Sequence, residues 1–553
     1  TLNHMIQTGG APTYLPGGKY LVGTALSITP TADNDGMRIY GDGWKSWIDS
    51  TVIGASTLTV INAKPVLIEN LRFSGNSVVG AGGNGHAVAL KSPSYTSAGN
   101  FYPQQAVVRG LKVSGFLGDD TKVTGGPGTS TTIAAGIYIG PGLANMVTTS
   151  IVSNCGVGIM FDRSINSHIT NCTTSICYNY GVQLNICTDG CSVTACDIIN
   201  CGKNDNVTYD SVDPVVSGGT LYYSGIVASS CEGPVTIERC KFKEGQAITT
   251  SSSNDVVLRH NWFRVDGANV GGTLKVQSIQ IRAADYVLID GNHFRYHVAP
   301  VAGAAVPRKS MEIQNTTGST KTVYTVTGNR FVHVGPIVAD ISIIGGSVAN
   351  SYVTLNISGN SFGATGTDYA VTDNLTVVDN CILLDTIRMS GSINDNTFSV
   401  PFNGANFETI TDCLDITAAS TPINSTVRIF GNQATVFAPG VITNPIETYQ
   451  SDVVGVMANS VTTQDLSWKS VWKTGTVGAT MTGLTGKPYD GQPVTIISKA
   501  AIVYDVTGTS LKGGTTDITT ADGDVTQWAL DSDGTTWRLI AFEKVASNQN
   551  TVN

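Results

Sequence analysis

The chain has 553 residues, a formal net charge of −9 and only 13% charged residues. That length is too great for one ordinary hydrophobic core, leaving several domains or a solenoid whose units bury their faces only against their neighbours. The acidic balance, with a sequence pI near 5.2, argues against nucleic acid or an anionic membrane as partner, since both require a basic face. No apolar run reaches the length of a membrane span, so membrane insertion is not expected, and no signal peptide opens the chain, which starts at Thr1 and reads as a fragment or processed form.

Residues 1–60 read as a cap with the first coils of a solenoid. Thr13 to Val22 place a Pro16-Gly17 turn between two short apolar runs, and Met37 to Gly43 lead into a Gly-Asp-Gly turn. Over residues 61–437 one octapeptide then recurs. It is clearest at Val256 to Phe263 and Val287 to Phe294, with copies at Val235 to Phe242, Tyr324 to Phe331 and Leu355 to Phe362, and looser ones ending at Phe73, Val113 and Phe398. The spacing varies over roughly 20–40 residues while the local pattern holds, the mark of stacked repeats. Aliphatic and polar positions alternate as in a strand, and the sixth and eighth positions share a face.

The sixth position reads Leu71, Leu111, Cys240, Asn261, Asn292, Asn329, Asn360 and Asn396. An Asn amide has both donors and an acceptor, so identical amides bond one above another when strands are parallel and in sequence order. These features predict an all-β chain: a right-handed parallel β-helix (solenoid) with a small C-terminal β domain. The 11 cysteines follow the same repeat, with Cys172, Cys196 and Cys240 at an inward offset. They read as buried free thiols, with a disulfide framework as the second reading. Cys187 and Cys191 are spaced like half a zinc site, but no matching pair completes it.

Longer excursions at Gly80 to Pro103, Gly118 to Thr132 and Gly202 to Tyr223 are expected at turns. The last holds Tyr209, Asp210, Asp213, Tyr222 and Tyr223, which suit a groove lining or a solvated loop. Residues 438–445, with Pro439 and Pro445, read as a linker, and residues 446–553 as a C-terminal β domain for trimerisation or glycan binding. A hairpin turning at Asp533-Gly534 is expected there, and Trp468, Trp472, Trp528 and Trp537 suit a compact core or an exposed binding surface.

Each coil carries a further strand upstream of the octapeptide, at 278–282, 310–314 and 339–342. Stacking Ile281, Ile313 and Ile341 inward places Gln280, Glu312 and Asp340 in one outward column and Arg282, Gln314 and Ser342 in the next. Two carboxylates on successive coils, with backbones about 4.8 Å apart, are what glycoside hydrolysis requires, one protonating the leaving oxygen and the other attacking or activating water. A solvated polar face is the plainer reading of the same residues. The seventh template position, also outward, reads Arg72, Lys112, Lys241, Trp262, His293 and Arg330, a basic and aromatic strip suited to an extended saccharide. Asp285, Asp290, Glu244, Asp255 and Asp266 lie near turns and suit turn roles. No nucleophile elbow, phosphate loop, zinc motif or calcium-ligand cluster is present, so neither metal nor cofactor is expected.

The Tyr14-Leu-Pro-Gly-Gly-Lys-Tyr20 stretch and the Gly41-Asp-Gly43 turn resemble the opening of pectate-lyase-like right-handed β-helices, and more narrowly of bacteriophage tailspike proteins. That resemblance implies a homotrimer at the virion tail, joined to tail or baseplate through a segment absent from this chain and assembled in the host cytoplasm. It also implies binding and hydrolysis of a bacterial surface polysaccharide during host attachment. Glu312 and Asp340 are then the expected catalytic pair, with Gln280, Arg282, Gln314, Trp262, His293 and Arg330 holding the glycan. A polysaccharide lyase with Arg282 or His293 as base, and a non-catalytic adhesin, remain the alternatives.

Overall fold

The computed structural model describes residues 12–28, 37–61, 65–76, 85–91, 105–117, 134–201, 224–243, 247–267, 277–298, 309–315, 322–334, 337–345, 352–363, 377–385, 388–399, 402–403, 406–407, 409–416, 426–435, 442–444, 454–466, 469–486, 493–531 and 535–544. Among these, the one helical element is a single turn at Gly43–Lys45. Three strands make a coil, and each pairs in parallel with its equivalents in the coils before and after. The result is three long sheets of 15, 14 and 14 strands wound into a parallel β-helix, with aliphatic side chains from all three facing one continuous core.

The octapeptide is the corner between the first and second sheets. Tyr286–Asp290 belongs to the first sheet and His293–Val298 to the second, with Gly291 and Asn292 turning the chain between them. The first corner residue is left-handed, with φ of 53° at His260, 63° at Gly291 and Gly328 and 64° at Gly359. Such backbone favours glycine, which explains the Gly-Asn pairs at 291, 328 and 359. The second corner residue faces inward and bonds its equivalents. Asn261, Asn292, Asn329 and Asn360 each donate their backbone N–H to the Oδ1 of the next Asn along the ladder, as Asn292 N–H does to Asn329 Oδ1 at 2.9 Å, with Asn292 Nδ2 donating to the same oxygen at 3.0 Å. The ladder continues through Asn396 to Asn432, one coil beyond the sequence reading. Each amide also donates to a core carbonyl, as Asn329 Nδ2 does to Ile289 O at 2.9 Å, so no corner amide from Asn261 to Asn432 is left with its donors idle.

Two positions on, Phe242, Phe263, Phe294, Phe331, Phe362 and Phe398 stack with centroids 4.7–5.0 Å apart, the spacing of adjacent strands. All 11 cysteines are buried and free. Cys172, Cys196 and Cys240 occupy the ladder line before the asparagines begin, with the Cys172 N–H on Cys196 Sγ at 3.4 Å and the Cys240 N–H on Asn261 Oδ1 at 2.9 Å.

The first coils lie within residues 1–60, Thr13–Leu15 pairing with the strand of the next coil. Two boundaries differ from the sequence reading. Within the excursion expected at Gly80 to Pro103, Val88–Lys91 is a strand of the third sheet. Within the expected linker, Ile442–Asn444 adds the last strand of that sheet, through Ile410↔Ile442 and Asp412↔Asn444. Glycine and proline signals flank these short strands closely enough to mask them. The excursions at 118–132 and 202–223 lie outside the described residues.

In the C-terminal region, six-, two- and three-stranded sheets run from Gly455 to Glu543. Val525–Leu530 and Trp537–Glu543 pair antiparallel as the expected hairpin, its Asp533-Gly534 turn lying outside the described residues. Trp472, Trp528 and Trp537 are buried in a second core, so these indoles pack rather than present a surface; Trp468 lies outside the described residues.

Candidate functional site

Two outward faces of the solenoid carry the candidate site residues. On the second sheet, strand pairing sets Lys241, Trp262, His293 and Arg330 side by side in successive coils, followed by Ser361 and Thr397. The seventh template position is therefore one column, as its alternation requires; Arg72 and Lys112 belong to it too, with Ile151, Thr173 and Asp197 between them and Lys241. The Trp262 indole is 39% exposed and lies parallel to the His293 ring, centroids 6.0 Å apart. Burial and the nearby Arg330 and Arg295 lower the His293 pKa, which keeps the ring neutral at pH 7. A concavity of about 250 Å³ opens here, lined by Trp262, Lys241, Lys243, Arg264, Phe242, Asp197 and Ile199. Sequence reasoning missed the column beside it, Lys243, Arg264 and Arg295, which one more template position past the Phe would have shown.

On the third sheet the expected register does not hold. Ile313 pairs with Ile343, and Ile341 with Met311, so Glu312 lies beside Ser342 and not beside Asp340. Ile341 and Ile343 both face the core, and a slip of two residues preserves every inward and outward assignment, so alternation alone cannot choose between them. Gln280 does neighbour Glu312, and Arg282 neighbours Gln314.

Glu312 is buried. Its carboxylate accepts from Lys309 Nζ at 2.8 Å, from Gln280 Nε2 at 3.4 Å and from Gln314 Nε2, partners that offset the cost of burying a charge. Asp340 is fully buried and accepts from the Ser310 hydroxyl at 2.7 Å. Arg282 presents Nε and Nη2, both buried with no hydrogen-bond partner among the described residues. Of the competing carboxylates, Asp290 accepts from the Thr327 hydroxyl at 2.9 Å, a structural role, and Asp285 is exposed. The side chains of Glu244 and Asp266 lie outside the described residues.

A carboxylate group the sequence did not suggest lies on later strands of the third sheet. Val377–Asp385 carries Asp379 and Asp385, and its neighbour Thr409–Ile416 carries Asp412 and Asp415. The Asp379 carboxyl is raised by burial and then by the charge of Asp412; the Asp415 carboxyl is raised by burial and then by Asp412 and Asp385. Burial and like charges on two paired strands thus push the Asp379 and Asp415 carboxyls upward, the direction an acid in glycoside cleavage needs. No octapeptide marks these positions, which explains their absence from the sequence reading. Among the described residues no group of three or more His, Cys, Asp or Glu is arranged to hold a metal, and no helix is long and apolar enough to cross a membrane.

A family model described as a right handed beta helix region matches residues 129–263. Together with the pairing of every third strand, it defines the class: a right-handed parallel β-helix. Several solved structures are similar to the chain. They include the tailspike protein gp49 from Pseudomonas phage LKA1, at 12% identity over 91% of this chain and 83% of that one, TM-score 0.38, and the N-terminal fragment of bacteriophage Phi29 gene product 12, at 10% identity over 91% and 77%, TM-score 0.40. The A-module of the Azotobacter vinelandii mannuronan C-5 epimerase AlgE4 is similar at 14% identity over 78% and 92%, TM-score 0.36. No curated protein matches the chain.

Proposed function

We propose that the chain is the β-helical body of a phage tailspike that binds a bacterial surface polysaccharide and hydrolyses its glycosidic bonds during host attachment, acting as a homotrimer at the virion tail. The observation that carries this reading is the outward column of the second sheet, where an exposed indole, parallel to the His293 ring, stands among cations and lines an open concavity. An aromatic face takes the apolar side of a sugar ring, and flanking donors take its oxygens.

Cleavage is assigned to the acidic group of the third sheet, with Asp379 or Asp415 as acid and an ionised neighbour as base or nucleophile. An acid must touch the glycosidic oxygen, and Glu312 and Asp340 are only 4% and 0% exposed. That burial favours a second reading, an adhesin that holds the glycan without cutting it. The test compares Asp379→Asn, Asp415→Asn and Glu312→Gln in turnover of the host polysaccharide. Loss of the acid lowers turnover by about 10²-fold or more in one Asp variant while Glu312→Gln retains activity. Equal turnover in both Asp variants and the parent overturns the assignment, and a loss confined to Glu312→Gln returns the chemistry to the buried site.

A further inference from the structure

The second-sheet face carries more charge than a neutral sugar needs. Its two adjacent columns set Lys241 beside Lys243, Trp262 beside Arg264, and His293 beside Arg295 in consecutive coils, with Arg330 and Val332 in the coil that follows. Rows repeat at about 4.8 Å and columns stand roughly 7 Å apart. Five permanent cations are thus gathered on one small face of a chain whose net charge is −9. The next two rows are Ser361 with Gly363 and Thr397 with Ser399, so the band ends abruptly. At its other end lies Asp197, paired with Lys241.

Hydrogen-bond chemistry narrows the ligand. Sugar hydroxyls both donate and accept, so a site for a neutral glycan mixes carboxylates and amides with its cations. Lysine and arginine only donate. Among the described side chains of these two columns, from Lys241 to Arg330, the acceptor is the neutral His293 ring. Such a face matches a ligand that mostly accepts, with an apolar ring surface for Trp262.

Resting on the reading of this chain as a glycan-binding spike, we infer that the band selects an acidic polysaccharide, one whose repeat carries carboxylate or another oxyanion held by Lys243, Arg264 and Arg295 while a sugar ring stacks on Trp262. The row spacing is close to the length of one pyranose unit, so successive coils meet successive residues of an extended chain. A single-stranded nucleic acid asks instead for successive aromatic platforms, and this band offers one indole.

The test is affinity electrophoresis of the full chain in gels containing polygalacturonate, dextran sulfate or dextran, with tryptophan fluorescence titration of the same polymers. The wild type is retarded in the acidic gels and not by dextran, and retardation weakens as salt is raised. A carboxylate ligand gives stronger binding to polygalacturonate, and a sulfate- or phosphate-bearing one to dextran sulfate. Each of these cations, Lys243 and Arg264 exposed and Arg295 half-buried, contributes about fivefold in affinity, so Lys243→Ala/Arg264→Ala/Arg295→Ala weakens acidic binding roughly 10²-fold, while Lys243→Arg/Arg264→Lys/Arg295→Lys retains most of it. Equal retardation by dextran, tighter binding of oligothymidylate than of either acidic polymer, or an unchanged triple-alanine variant overturns the inference. The two proposals fail separately. Cleavage of a neutral surface polysaccharide, with full affinity, leaves the enzyme and removes the acidic ligand. Charge-dependent binding of acidic glycan with no cleavage of any polysaccharide does the reverse.

Discussion

Replacing Asn329 by Ala tests what holds the coils in register. Asn329 Oδ1 accepts from the Asn292 N–H at 2.9 Å and from Asn292 Nδ2 at 3.0 Å, while its Nδ2 donates to Ile289 O at 2.9 Å and Asn360 Oδ1 at 3.0 Å. The substitution strips the buried Asn292 N–H of its acceptor, at about 1–3 kcal/mol, and removes three further bonds of roughly 0.5–1.5 kcal/mol net each. Coupling within the ladder makes these less than additive, and a total of about 3–5 kcal/mol is predicted. Asn329→Leu fills the space, as Leu71 and Leu111 do at the start of the same line, and should lose nearly as much, because the donor stays orphaned. Guanidinium unfolding measures the global effect, and hydrogen exchange at the 292, 329 and 360 amides the local one, since each coil rests on its neighbours. The partly exposed Asn356→Ala serves as control, within about 0.5 kcal/mol of the parent. A loss below about 1 kcal/mol for Asn329→Ala would refute the view that the amide ladder is a principal tie between coils.

Three further outcomes follow from the same structure. The His86 Nδ1 accepts the Ala135 N–H at 2.8 Å and its ring stacks on Tyr138 at 4.6 Å; burial, with Lys91 nearby, pushes its pKa down to about 4. An unfolded imidazole protonates near 6.5 while the folded one does not, so this stability is whole above that pH and falls by at most about 3 kcal/mol on descending to pH 4; His86→Gln should flatten the slope of melting temperature against pH, and an unchanged slope excludes His86 as its source. Thiol titration should find few reactive groups in the native protein and all 11 after denaturation without reductant, a deficit showing disulfides. Light scattering should give three times the 57.8 kDa chain mass, and a single chain mass at micromolar concentration removes the homotrimer.

Much of this architecture was legible because the corner imposes local chemistry. A left-handed residue followed by an inward amide leaves Gly-Asn pairs at 291, 328 and 359, and the stacked Phe two positions on fixes the face. The same regularity exposed the Lys241, Trp262, His293 and Arg330 column. The third sheet was harder to read, because its longer strands are joined by connections of variable length. Its Ile341 and Ile343 both satisfy alternation, so the sequence could not separate Asp340 from a position beside Glu312. Nor does alternation report burial on the outward face, where Glu312 and Asp340 are enclosed and paired. Asp379 and Asp415 owe their raised carboxyls first to burial and then to Asp412, across strands that no octapeptide links.

The most direct test of the account is to incubate the purified chain with surface polysaccharide from its host and identify the ends produced. Glycosidic hydrolysis predicts a fall in polymer length matched by new reducing ends, with water added and no ultraviolet-absorbing unsaturated uronate. Unsaturated ends would establish a lyase, and intact polymer with measurable binding would establish an adhesin; either result contradicts the hydrolase proposed here.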